Sequence, residues 1–336
     1  MTDALFHAYT SLFVWIGVGL VLYRFLPDTV PRLLGRGLFW VGMPVEIFDL
    51  ARRTDFSRLV WLAPVATVTV LIFGLSVALS VLQVNQHWPL TWLGLRGKQP
   101  FSLYPDESPS FVSEDSTLEL TSAQKGSFVL SATLGNTGFV GLAIAATILS
   151  PENMGIAAFY TVMHNIFGLY GVGVIVSHHF GQASAESRWW TSLLAVIKVP
   201  TVWAFILGVS TQFIKFPQFV ETSLDQSVWI VIPCGFLLTG LRLSQLKNWE
   251  SLVSGVIPAV VKMLIMPAVV LLITPLLGII GEPRLALVLM AGTPTALTTL
   301  VLAEEYNLDR DLIASSIALS MLVLIPLVPL WLKLLT

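Results

Sequence analysis

Leu134-Gly135-Asn136-Thr137-Gly138-Phe139-Val140-Gly141 places three glycines and two small polar residues inside a segment otherwise apolar enough for a membrane. A second interruption, Ala291-Gly292-Thr293-Pro294-Thr295-Ala296, lies in another apolar segment. Pro294 lacks an N–H and its ring clashes with the preceding helical turn, so each stretch reads as a broken helix. Backbone groups freed at membrane depth survive only where protein or a watery cavity surrounds them. Paired interruptions in the two halves of a chain therefore point to a binding site at the midplane.

The surrounding composition agrees. The 336 residues are 55% hydrophobic and only 11% charged, with a mean hydropathy of +0.81. An ordinary soluble domain carries about 25% charged residues, so the chain reads as an all-α, polytopic membrane protein. A formal charge of -2 is too small to suggest nucleic acid, and the lone Cys234 excludes an internal disulfide or a cysteine metal cluster. The first apolar run, Leu5 to Leu26, has no basic leader and no small-residue cleavage site behind it, and is expected to be a retained span.

A bilayer core takes about 20 apolar residues per helix. By that measure the chain holds ten segments, centred near Gly17, Met43, Val70, Gly138, Phe167, Phe205, Pro233, Leu264, Pro294 and Leu322. Trp61, Trp88, Trp92, Trp189, Trp190 and Trp331 fit aromatic belts at the two interfaces. Placing the N-terminus outside puts ten basic residues in inner loops and six in outer ones, which predicts a cell-membrane protein with both termini outside. Arg52-Arg53 runs against that orientation.

Trp40-Val41-Gly42-Met43-Pro44 in the second segment resembles Trp229-Ile230-Val231-Ile232-Pro233 in the seventh, five segments on. An odd offset inverts the second copy, so residues 1–180 and 188–336 read as two inverted five-helix repeats with broken, crossing fourth and ninth helices. The extra length of the first copy falls in the loop 86–125, rich in Ser, Pro and acid, expected to be a solvated linker on the inner side. A short helix over Ser116–Gln124 is conceivable there.

Several polar residues stand at the depth of the interruptions. Asn136 carries an amide able to donate to a carboxylate, though an inter-helix hydrogen bond is the bland alternative. Thr137, Thr293 and Thr295 add hydroxyls, unless these serve their own backbone. Tyr160, His164 and Asn165, midway along the fifth segment, are candidates to line the same site. Gly135, Gly138 and Gly141 recur every three residues and suit close helix crossing; Pro44, Pro233 and Pro294 are structural in the same sense. Glu46, two residues past Pro44, and Lys262 in the eighth segment are intramembrane charges, hence candidates for proton or charge coupling. Asp49, followed by Arg52 and Arg53, reads as an interfacial ion pair. His178-His179 lacks a third ligand, so neither metal nor cofactor is expected. HExxH and Gly-x-Ser-x-Gly are both missing, which argues against a hydrolase.

Gly135-Asn136-Thr137-Gly138-Phe139-Val140-Gly141-Leu142 resembles the fourth-span signature of the auxin efflux carrier family of permeases. Lys198-Val199-Pro200, Pro233 with Gly240-Leu241-Arg242-Leu243, Val261-Lys262-Met263 to Pro267, and Pro294 followed by Ala303-Glu304-Glu305-Tyr306 are similar to further motifs of that family. The resemblance implies ten helices in two inverted repeats beside an organic-anion site. Ala143 stands where the family usually has Pro, and Gly135 where plant exporters have Pro, which argues against auxin as the substrate. The expected function is secondary active transport or uniport of a small carboxylate by alternating access. The alternatives are a sodium-coupled organic-anion symporter of bile-acid-symporter type and a non-transporting membrane sensor. The expected partners are the lipid bilayer and the small anion, with a homodimer as the candidate assembly.

Overall fold

The computed structural model describes residues 2–27, 29–54, 60–87, 120–181, 200–244 and 249–335. Most of the acidic insertion, Trp88, Trp92, Trp189, Trp190, Lys198 and the expected boundary near residue 188 lie outside the described residues. Among the described residues the chain is helical and contains no strand.

The order is α1 (Thr2–Leu22), α2 (Val30–Gly37), α3 (Met43–Arg53), α4 (Leu62–His87), α5 (Ser122–Thr133), α6 (Ala143–Ile148), α7 (Pro151–Met163) and α8 (Val174–Phe180). It continues through α9 (Pro200–Ser210), α10 (Gln218–Leu243), α11 (Val256–Val260), α12 (Met266–Leu276), α13 (Glu282–Ala291), α14 (Thr298–Glu305) and α15 (Arg310–Leu335). Wide π turns splice several of these into longer rods. Leu38–Gly42 joins α2 to α3 just before Pro44, and Val261–Ile265 joins α11 to α12 just before Pro267. A proline offers no N–H to the carbonyl behind it, and widening the turn absorbs the misfit without ending the rod.

Among the described residues five helices are long and apolar enough to cross a membrane: Leu62–Asn85, Pro151–Phe180, Gln218–Leu243, Leu252–Leu276 and Arg310–Leu335. The expected fourth and ninth segments fall short because each is broken near its middle. α5 opens on a capping box, in which Thr121 accepts from Gln124 N and the Gln124 side chain accepts from Thr121 N. That places the start at Ser122, so the short helix expected over Ser116–Gln124 is, in its described part, the first turn of α5.

The helices pack in two groups. In the first, α1 lies along α10, α9 lies along α3, and α10 also touches α2 and α3. In the second, α4 packs on α5 and α7, α12 on α13, α13 on α7, and α15 on α5, α11 and the turn Trp249–Gly255. Contacts between groups run from α3 to α7, α1 to α6, and α10 to the turn Thr137–Leu142.

One cluster fastens the first group. Arg52 donates to the carbonyls of Thr211 (2.5 Å) and Ile214 (2.9 Å), pairs with Glu221 (2.8 Å), and lies 3.9 Å over the Phe216 ring. Gln212 Nε2 donates back to the Ala51 and Thr54 carbonyls at 2.8 and 2.7 Å. The expected Asp49 ion pair forms with Arg53 at 3.0 Å, while Arg52 reaches across to α10 instead. Arg52→Ala strips two carbonyls and a carboxylate of a charged donor and is expected to cost about 2 to 3 kcal/mol. Arg53→Ala, half-exposed, is expected to cost less than about 1 kcal/mol. Unfolding in detergent checks the order, and equal losses would contradict it.

Candidate functional site

The two interruptions meet. α5 ends at Thr133, α13 ends at Ala291, and the extended residues beyond them lie antiparallel, Gly135 opposite Thr295. Asn136 N donates to Pro294 O at 2.6 Å, and Ala296 N donates to Leu134 O at 3.0 Å. Each broken helix thus satisfies donors that the other has freed, which answers the demand of a membrane interior on irregular backbone. Thr295 ties the crossing to its surroundings: its Oγ1 donates to Ser131 O at 3.0 Å and its N donates to Ser320 Oγ at 3.1 Å.

The glycines make the crossing close. A Cβ on Gly135 would collide with Thr293 Oγ1 and stand 2.8 Å from both Cε and Nζ of Lys262. At Gly138 the obstacle is the Met43 methyl, and at Gly141 it is Thr293 Cγ2, 2.8 Å away. The three-residue spacing is therefore one of contact.

Asn136 is 5% exposed and caps the helical stretch that runs from Thr137 to Ile148. Its Oδ1 accepts from Phe139 N at 3.3 Å, while its Nδ2 has no acceptor. A buried amide with an unspent donor costs free energy until something accepts from it. Lys262, 1% exposed, donates from Nζ to Ala291 O at 2.8 Å and forms no ion pair among the described residues. Two buried donors, one of them cationic, thus flank Gly135. The helix beginning beside them adds the partial positive charge of its N-terminus.

The remaining expected residues divide. His164 Nε2 accepts from Gly135 N at 3.2 Å, so this ring holds the break open and carries its proton on Nδ1. The Tyr160 ring lies parallel to it, 6.3 Å away. Asn165 is half-buried and turns to another face of the same rod. Thr293 Oγ1 donates to Met290 O at 3.0 Å, and the Thr137 carbonyl accepts from Thr161 Oγ1 at 3.4 Å. The hydroxyls of Thr293 and Thr295 are spent on backbone, whereas Asn136 Nδ2 has no acceptor and Lys262 Nζ answers a single carbonyl. Glu46 is buried one turn along α3 from Met43, the residue that packs on Gly138, and has no hydrogen bond or ion pair among the described residues. No group of three or more His, Cys, Asp or Glu able to hold a metal occurs among the described residues. Pro44 opens α3, Pro233 sits inside α10, and Pro294 contributes its carbonyl to the crossing.

Sequence reasoning did not foresee the orphan Ser127 and Ser131 hydroxyls, buried on one face of α5 beside the crossing. Their four-residue spacing in an apolar helix was the available signal.

Gly135→Ala should force Lys262 and Thr293 apart. Overpacking of this kind costs about 1 to 3 kcal/mol. Gly171→Ala, where the nearest atom lies 3.6 Å from a new Cβ, serves as the tolerant control. Similar melting temperatures for the two variants would mean that the crossing is looser than described.

Comparison with known proteins adds an independent line. A family model described as membrane transport protein matches residues 115–332. An uncharacterized transporter of Methanocaldococcus jannaschii is 28% identical over 218 residues, covering 63% of this chain and 69% of that protein. An uncharacterized transporter of Methanothermobacter thermautotrophicus is 27% identical over 213 residues, covering 63% and 68%. A probable auxin efflux carrier component 9 of Oryza sativa subsp. japonica is 24% identical over 145 residues, covering 41% and 34%.

Proposed function

The chain belongs to the membrane transport protein family, to which the auxin efflux carriers are related, and on that premise we propose that it carries a small organic anion by alternating access. The carrying observation is a pair of buried donors at the crossing, Asn136 Nδ2, which has no acceptor, and Lys262 Nζ, which answers one carbonyl and no carboxylate among the described residues. A bound carboxylate accepts from both and neutralises the ammonium. A short helix end supplies about half a positive charge, so the lysine is the larger electrostatic contribution.

The architecture proposed for this work is ten crossings in two inverted repeats, 1–180 and 188–336, in a cell membrane with both termini outside. The pattern of helix packing supports it. Shifting each segment by five turns the α1–α10 contact into α9–α3, α4–α5 into α12–α13, and α5–α15 into α13–α7, all of which occur. The two packing groups then serve as the bodies that rock against each other, with the crossing in the second group and α3 and α10 facing it. No catalytic step is assigned.

Coupling is proposed to run through Glu46, a buried carboxyl beside the half-helix entry with no partner among the described residues. Uptake into proteoliposomes should follow an imposed pH gradient in the native protein and lose that dependence in Glu46→Gln. An unchanged gradient response in the variant removes Glu46 from the mechanism. A sodium-coupled symporter would instead show flux that tracks sodium, and a sensor would show binding without flux.

The site itself is tested by calorimetry with a panel of mono- and dicarboxylates. Asn136→Ala removes one hydrogen bond to a charged group, worth about 1.5 to 3 kcal/mol or about ten- to a hundredfold in affinity. Asn136→Asp is expected to be worse, because it faces the anion with a negative charge. Pro294→Ala keeps the carbonyl that Asn136 N uses and is expected to impair flux more than binding. Native affinity in both Asn136 variants, with melting temperatures unchanged, would place the site elsewhere.

A further inference from the structure

Acyl chains are as apolar as leucine, so exposed hydrophobic residues on a membrane helix ask for no further partner. A groove between α4 and α12 differs, because it ends on a charge. Val65 and Thr69 of α4 line it with Val269 and Ile273 of α12, and Leu287 of α13 lines it as well. Its volume is about 70 Å³, and no charged side chain lines it. Val65 and Leu277, both lining residues, are 63% and 64% exposed, so the groove lies open to the surrounding lipid.

The link from α12 to α13 brings the charge there. Gly278 and Gly281 take φ of +72° and +67°, a left-handed backbone that glycine adopts freely, and turn the chain back toward α12. Arg284 Nε then donates to Thr274 Oγ1, a lining residue, at 3.1 Å, and its Nη2 donates to Leu271 O at 2.7 Å. Among the described residues its Nη1 has no acceptor and no carboxylate pairs with it. The nearby acid Glu282 is committed elsewhere, accepting from Ser150 N (3.3 Å), Ser150 Oγ (2.6 Å) and Asn153 Nδ2 (2.7 Å). Arg52 and Arg53, which share this end of the bundle through the contact of Thr54 with Gly155, do pair with carboxylates. An arginine in the first turn of a helix also opposes the helix dipole, so the protein answers Arg284 poorly by itself.

We propose that this groove is the site of one anionic phospholipid, with an acyl chain lying between α4 and α12 and the phosphate on Arg284. The Nε and Nη2 bonds fix one edge of the guanidinium against α12, which leaves the edge between Nη1 and Nη2 to present two donors to phosphate oxygens. A free phosphate would use the charge and leave the apolar groove empty, whereas a phospholipid fills both. The charge also stands where a helix begins, at the depth of a headgroup, with the groove running toward the bilayer interior along α4 and α12. A lipid seated there touches α4, α12 and the first turn of α13, the rod that leads to the break at Gly292. The inference does not depend on which substrate the crossing takes.

The experiment is native mass spectrometry of the detergent-purified protein, titrated with phosphatidylglycerol or with phosphatidylcholine carrying the same acyl chains. The parent should bind the anionic lipid about fivefold more tightly, the increment that one arginine beside an anionic headgroup supplies. Arg284→Gln should bring that ratio to about one, while Arg284→Lys, which keeps the charge, should hold most of it. Val65→Trp, on an exposed lining position, fills the groove and should weaken both lipids while preserving their ratio. Glycerol phosphate, which offers the anion without chains, should fail to compete in molar excess. Arg36→Gln, at an exposed arginine of α2, should leave the ratio as it is. Should Arg284→Gln fail to fold, about 1 M salt makes the charge test on the parent, where the ratio should fall toward one. A ratio near one in the parent, a ratio unchanged in folded Arg284→Gln or in high salt, or an equal loss in Arg36→Gln would overturn the site. So would competition by glycerol phosphate, or native lipid binding in Val65→Trp.

Discussion

A peptide group inside a bilayer has no water to fall back on, and one constraint governs this molecule: two interrupted helices must satisfy each other's backbone. The Asn136 N to Pro294 O and Ala296 N to Leu134 O bonds do so, at 2.6 and 3.0 Å. Unsatisfied groups there cost several kcal/mol each, so the two breaks are tolerable only together. Much else follows from keeping them in register. Gly135 must lack a Cβ, His164 must present Nε2 to Gly135 N, and Thr295 must bond Ser131 and Ser320.

Having met the demand of the backbone, the crossing is left with a surplus of donors. Asn136 splits its roles, its oxygen closing a helix end and its nitrogen left over. Lys262 answers only one carbonyl. Buried positive charge without a carboxylate is costly, and a structure keeps it where a ligand or a second state supplies the missing partner. That logic is the ground on which the crossing is proposed as a binding site. It also explains why the hydroxyls of Thr293 and Thr295 matter less: they have already been spent on holding the backbone in place.

The interruptions themselves were legible in the sequence, because glycine and proline in an apolar segment have few other meanings. That the two stretches belong together was expected from the Pro44 and Pro233 segments, and their backbones do meet. The polar residues were harder to rank. Asn136, Thr293 and Thr295 look alike at the level of composition, and only the geometry shows that the donors of the two threonines are taken while the amide of Asn136 is free. Asn165 beside His164 was equally indistinct, since adjacent residues on a helix face directions about 100° apart and one of the two must look away. The pairing of Arg52 with the loop Thr211–Phe216 spans more than 150 residues of sequence, and no local pattern announces it.

In the proposed arrangement of inverted repeats, exchanging the roles of the halves yields the opposite conformation. A carrier with perfect internal symmetry would populate both sides equally. Divergence between the halves is then the means of setting a preference, and it needs to act only at contacts made in one state. Substitutions inside the crossing change both states together and set no bias. On that reading a conformational preference is written where the halves differ, and the chemistry where they meet.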